Sequence, residues 1–213
     1  MIKNFLEQLR IQRWDDHRYY HHSRINQSLH FVSAISFMVG YVMMFFDPLA
    51  SALIGWLVSM TSRQAGHFFF EPRGYDHLNN ATHAHKEEIK VGYNLRRKVV
   101  LMTIWALSPL ILYADPTLFG LFTPWANPGD FIRQVAKIWL VVGLGGLLFR
   151  TVHLFFIYNV ETGLVWMTKI LTDPFNDFIL YHKAPLALLR GELIDPGLDI
   201  IEHGFEDFEE KHA

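Results

Sequence analysis

Residues 19–41 read YYHHSRINQSLHFVSAISFMVGY, setting His21, His22 and His30 just before and inside an apolar run. Residues 66–73, GHFFFEPR, place His67, Glu71 and Arg73 at the far end of a second apolar run. The chain has no cysteine, so thiolate zinc sites, iron–sulfur clusters and disulfides are excluded. Imidazole with a nearby carboxylate suits iron(II), manganese or zinc, and an iron site that uses oxygen must also keep coordination positions open. Asn26 and His30 are four apart and share a helix face, as do His67 and Glu71. His21 and His30, nine apart, fall on opposite sides of an unbroken helix, so joint ligation requires a break near 23–26.

The other histidines read differently. His83 and His85, spaced HxH in NNATHAHKEE, are either ligands or the exposed start of a helix. His153 lies at a depth where polar groups are costly and often functional, which points to a pocket or metal residue. His17, His22, His77, His182, His203 and His212 read as interfacial side chains. Arg63 and Gln64 fit snorkelling positions, and Phe68, Phe69 and Phe70 fit lipid-facing packing.

The elements that must position these residues are helices in a membrane. Of 213 residues, 51% are hydrophobic and 15% aromatic, yet 19% are charged, so charge is segregated from the apolar runs. Residues 1–13 form an amphipathic pattern that predicts a short interfacial helix. Residues 29–46 predict a first span, about 27 Å long. A tight break at Asp47-Pro48 leads into a second span over 49–70. A third span, 99–114, contains Pro109, and a fourth, 132–149, continues toward residue 158. The predicted fold is all-α: a polytopic membrane protein with four transmembrane helices and short amphipathic helices. Residues 1–172 read as the membrane domain and 173–213 as a cytoplasmic C-terminal tail. Lys and Arg concentrate before the first span, between the second and third, and after the fourth, which places both termini in the cytoplasm. Measured from the Asp47-Pro48 turn, His30 lies about 17 residues back and His67 about 19 forward, so both reach one depth at the cytoplasmic boundary. His153 arrives at a similar level.

A formal charge of −2 and the absence of a Lys/Arg run argue against a nucleic-acid partner. The N-terminus lacks the h-region of a signal peptide, so the first span directs insertion. A bacterial inner membrane fits better than an endoplasmic reticulum, since no retrieval signal is visible.

Two segments carry a family resemblance. YHHSRINQSLH, 20–30, resembles a Y-H-x-x-x-x-N-x-x-x-H signature, and GHFFFEPR resembles G-H-x-x-F-E-x-R. Both belong to the iron(II)-dependent 2-hydroxy fatty acid dioxygenases of fatty acid α-oxidation, a family with a fungal endoplasmic-reticulum member and bacterial homologues. His21, Asn26, His30, His67 and Glu71 occupy signature positions. After Glu71 the chain reads Pro72-Arg73-Gly74-Tyr75, where the family usually has arginine-proline-alanine.

The resemblance implies an iron(II) enzyme that uses dioxygen to convert a 2-hydroxy fatty acid, drawn from the bilayer, to a fatty acid one carbon shorter. It implies His21, His30 and His67 as ligands, with His85, His83 or His153 completing the shell. Glu71 would ligate or orient His67, Asn26 would orient His30 or the substrate, and Arg63 or Arg73 would pair with the substrate carboxylate. A di-iron hydroxylase or desaturase, suggested by HRYYHH at 17–22, is the second enzyme reading. A haem-binding electron carrier and a lipid-binding module without chemistry are the readings from other classes.

Overall fold

A computed structural model describes residues 2–71, 74–77 and 79–195. Arg73, one of the candidate carboxylate partners, and the acidic C-terminal end lie outside the described residues.

Helix boundaries follow from local chemistry. Helix α1 runs Ile2–Tyr20 and α2 runs Arg24–Met43. Between them Ser23 takes an extended conformation and its side chain accepts from the Ile25 amide, capping α2. The turn at Asp47-Pro48 has the features its sequence announces: Asp47 caps the amides of Leu49 and Ala50, and Pro48 sits at the first helical position, where its missing N–H is harmless. From there α3 (Pro48–Ile54), a π turn (Gly55–Met60) and α4 (Thr61–Phe69) form one rod. Asn94, Asn127 and Asn159 cap α6 (Leu95–Ala114), α7 (Pro128–Ile157) and α8 (Val160–Tyr181). Two short helices, α5 (His83–Ile89) and α9 (Ala184–Leu189), complete the described chain, in which no strand occurs.

The α3–α4 rod folds back on α2, α7 packs on α3, and α6 packs on α7. Helix α8 lies centrally, against α1, α2 and α7. Toward the far end of the bundle Trp56, Leu112, Val135 and Trp139 form the apolar core, with Trp105 stacked on Trp56 at 5.7 Å. The Trp56 indole donates to the Trp139 carbonyl at 2.7 Å and the Trp139 indole to Ser108 Oγ at 3.0 Å, so both polar tips are satisfied inside the core.

Two helices, α6 and α7, are long and apolar enough to cross a membrane. Only 11% and 17% of their most apolar windows are buried, and Leu110, Val141 and Phe149 point outward. Apolar groups in these helices therefore face the surroundings rather than an interior.

Two elements differ from the sequence expectation. Helix α1 extends past residue 13 to Tyr20 and packs on α8, burying Leu9, His17, Tyr19 and Tyr20. Helix α8 runs through residue 172, where the domain boundary was expected, despite Pro174 within it. Pro174 is fully buried, and in the preceding turn the Leu171 carbonyl accepts the Tyr41 hydroxyl at 2.9 Å. Tertiary packing of the buried proline thus sustains the helix across a residue that would otherwise end it.

Candidate metal centre

Three histidines from three elements meet at one point. His21 stands in the break after α1, His30 on α2 and His67 on α4. Their ring centroids lie 4.1 Å (His21–His30), 4.9 Å (His30–His67) and 5.3 Å (His21–His67) apart. One ligand atom from each falls within 4.8 Å of the others, which allows a common metal ion.

The break that delivers His21 is built by the residues just after it. The Asn26 amide donates to the Tyr20 carbonyl at 2.7 Å, and the Gln27 amide to the His21 carbonyl at 2.8 Å. These carbonyls lose their helical partners where α1 stops, so the side chains of α2 replace the missing backbone donors. Gly66 brings α4 close enough for His67 to join: a Cβ there would sit 2.1 Å from Asn26 Oδ1 and 3.4 Å from His30 Cδ2. Only glycine allows that backbone approach.

Each ring is held through Nδ1. His67 Nδ1 bonds Glu71 Oε2 at 2.7 Å, His21 Nδ1 pairs with the Tyr181 hydroxyl at 2.8 Å, and His30 Nδ1 faces Asp177 Oδ2 at 3.4 Å. The Nε2 atoms of His21 and His30 are buried and have no hydrogen-bond partner. Buried polar atoms are rarely left so, and imidazoles oriented through Nδ1 with Nε2 free are the usual form of metal-ligating histidine. Burial, with His30 beside it, holds His21 well below the ordinary histidine range. The ring is therefore neutral, as a ligand must be.

Helix α8 supplies the outer layer. Lys169, Asp173, Asp177 and Tyr181 recur at four-residue intervals and form one row along its buried face. Lys169 pairs with Asp173 at 2.7 Å and with Asp16, while Arg63 binds Asp177, which is thereby shared with His30. Burial, with Asp177 nearby, keeps the Tyr181 phenol well above its ordinary range, so it stays protonated. Its oxygen also lies 3.0 Å from His17 Nδ1.

The remaining candidates fall elsewhere. Asn26 works on the backbone of the break, as described. His83 lines a small recess with His67, Glu71, Glu87, Leu95 and Lys98, and its Nδ1 is buried without a partner. His85 is exposed at the start of α5, where its amide is capped by Thr82. His153 receives a hydrogen bond from Arg150 at 2.9 Å and stacks on Phe149. None of His83, His85 and His153 belongs to the three-histidine group. His22 turns away from it toward Asp76, at 3.6 Å.

Asp177 and Tyr181 were missed by the sequence reading. Their signal is the four-residue row itself, masked there by Asp173-Pro174, which reads as a break.

A cavity of about 360 Å³ opens from His67 into the bundle. Near the histidines its wall carries Asp16, Arg63, Gln64, Lys98 and Lys169; further along, it is lined by Phe37, Met44, Leu101, Met102, Trp139 and Leu140. A polar end joined to an apolar arm suits an amphiphile. No protein-family model, curated protein or solved structure matches the chain.

Proposed function

We propose that the protein is a membrane-embedded, iron(II)-dependent dioxygenase that shortens 2-hydroxy fatty acids by one carbon. The observation that carries this reading is the meeting of three Nδ1-anchored histidines beside an amphipathic cavity. The signature resemblance of the two segments that supply the histidines supports it, as do the outward-facing apolar residues of α6 and α7. Four spans with cytoplasmic termini, in a bacterial inner membrane, complete the proposal.

His21, His30 and His67 would hold the metal through Nε2. When bound, iron(II) supplies oxygen activation and a Lewis-acid anchor for the substrate's carboxylate and 2-hydroxyl. Everything else falls to the chain. With Nε2 given to a metal, His21 Nδ1 carries the proton and donates to the Tyr181 oxygen, so the Tyr181 hydroxyl donates onward to His17. Glu71 accepts from His67 in the same manner and fixes its tautomer. The apolar cavity walls would hold the tail and keep water from the head. The reaction balances without an outside reductant: the C1–C2 bond breaks, and dioxygen takes four electrons. One substrate and one dioxygen give the shortened acid, carbon dioxide and water.

Metal analysis of the purified protein, then anaerobic loading with a 2-hydroxy fatty acid and admission of oxygen, tests the proposal. The expected results are one iron per chain and a product one carbon shorter by mass. Protein without stoichiometric metal, or full turnover in His30→Ala, would overturn it. Two metal ions per chain would support the di-iron hydroxylase reading instead.

A further inference from the structure

Six acidic or basic side chains other than histidine line the large cavity: Asp15, Asp16, Arg63, Lys90, Lys98 and Lys169. Five have counter-ions. Asp15 pairs with Arg18 at 2.9 Å, Asp16 with Lys169, and Arg63 with Asp177. Lys90 sits 3.6 Å from Glu87 and lies over the Tyr20 ring.

Lys98 is different. It is nine-tenths buried, in the first turn of α6, and its ammonium forms no ion pair or hydrogen bond with any described residue. It lines both the large cavity and the small recess, and His67 is the one other residue that borders both. A buried ammonium without a partner is costly, and such a group normally meets an anion.

We infer that Lys98 is the head-group anchor of this cavity, binding the carboxylate of a single-chain fatty acid whose tail occupies the apolar arm. Of the two cations that the family resemblance offers for this task, Arg63 already serves Asp177, and Arg73 lies outside the described residues. Lys98 stands beside the histidine centre, so a carboxylate held there leaves C1 and C2 next to His67. The apolar arm leads away between Leu101, Met102 and Trp139. This inference rests on the proposed function for its substrate class, but the anchor itself requires no metal and no turnover.

The test is therefore made on metal-free protein in detergent, titrated with a long-chain 2-hydroxy fatty acid and with its methyl ester. The native chain should bind the acid about tenfold or more tightly than the ester. Lys98→Met should bring that ratio close to one while leaving ester binding intact, and Lys98→Arg should restore it. An undiminished acid preference in Lys98→Met, or no preference in the native chain, overturns the inference. Loss of ester binding in Lys98→Met would assign the residue to packing and also overturns it. If the Lys98-dependent preference holds but the iron-loaded protein yields no shortened acid, the anchor stands and the dioxygenase reading falls.

Discussion

The bundle has two buried centres, and they treat polar atoms in opposite ways. In the aromatic core Trp56 and Trp139 turn their indole N–H groups onto acceptors, leaving hydrocarbon as the packing surface. At the histidine centre, His21 and His30 satisfy one ring nitrogen and leave the other buried and bare. In the first, only the Trp105 indole at the edge of the cluster lacks an acceptor. The second gathers bare nitrogens at one point, where a single ion can partner them together, and that convergence separates a site from a core.

The largest effect that can break the contrast is removal of a ligand. His30→Ala or His67→Ala should lower bound metal from about one ion per chain to below about a tenth, because the remaining imidazoles cannot hold it alone. Elemental analysis reads this directly. The outer layer comes next: Tyr181→Phe keeps the ring packing but removes the partner of His21 Nδ1, and metal affinity should fall about 10–100-fold in competition with a chromophoric chelator. Gly66→Ala should cost about 1–3 kcal/mol in denaturant unfolding, and lower metal occupancy with it, since the new methyl must push α4 away from Asn26. In the aromatic core, Trp139→Phe should cost a similar 1–3 kcal/mol at about unchanged metal content, through the lost bond to Ser108 and the void left behind. The smallest change sharpens the comparison from outside both centres. At Gly145 an added Cβ meets nothing within 4 Å, so Gly145→Ala should leave metal content alone and raise stability by about 0.5–1 kcal/mol.

Much of the histidine centre was legible because two simple rules bear on it. Helical rise, counted from the Asp47-Pro48 turn, set His30 and His67 at one depth, and their rings do meet. The nine-residue gap between His21 and His30 demanded a break near 23–26, and the break falls at 21–23, overlapping that range at Ser23. Other parts were hidden for equally physical reasons. Helix α8 contains Asp173, Pro174, Asn176 and Asp177, residues that favour turns in isolation. Their helical conformation depends on partners distant in sequence: Lys169 on Asp16, Asp177 on Arg63, and the turn before Pro174 on Tyr41. Local propensity cannot see those contacts. The unpaired state of Lys98 was equally invisible, since it emerges only when every neighbouring charge has been matched.

The π turn at Gly55–Met60 has a consequence for heredity as well as for shape. Trp56 and His67 are eleven residues apart, a separation that in a regular helix returns to within about 20° of the same side. Here one inserted residue, worth about 100° of rotation, lets Trp56 look toward Trp139 while His67 looks toward His30. Loss of a single codon within that stretch would leave ten regular residues where eleven with one bulged now stand, an equal turn of the rod that keeps both side chains facing as they do, whereas the same loss between residues 61 and 66 would swing the imidazole out of reach of its companions.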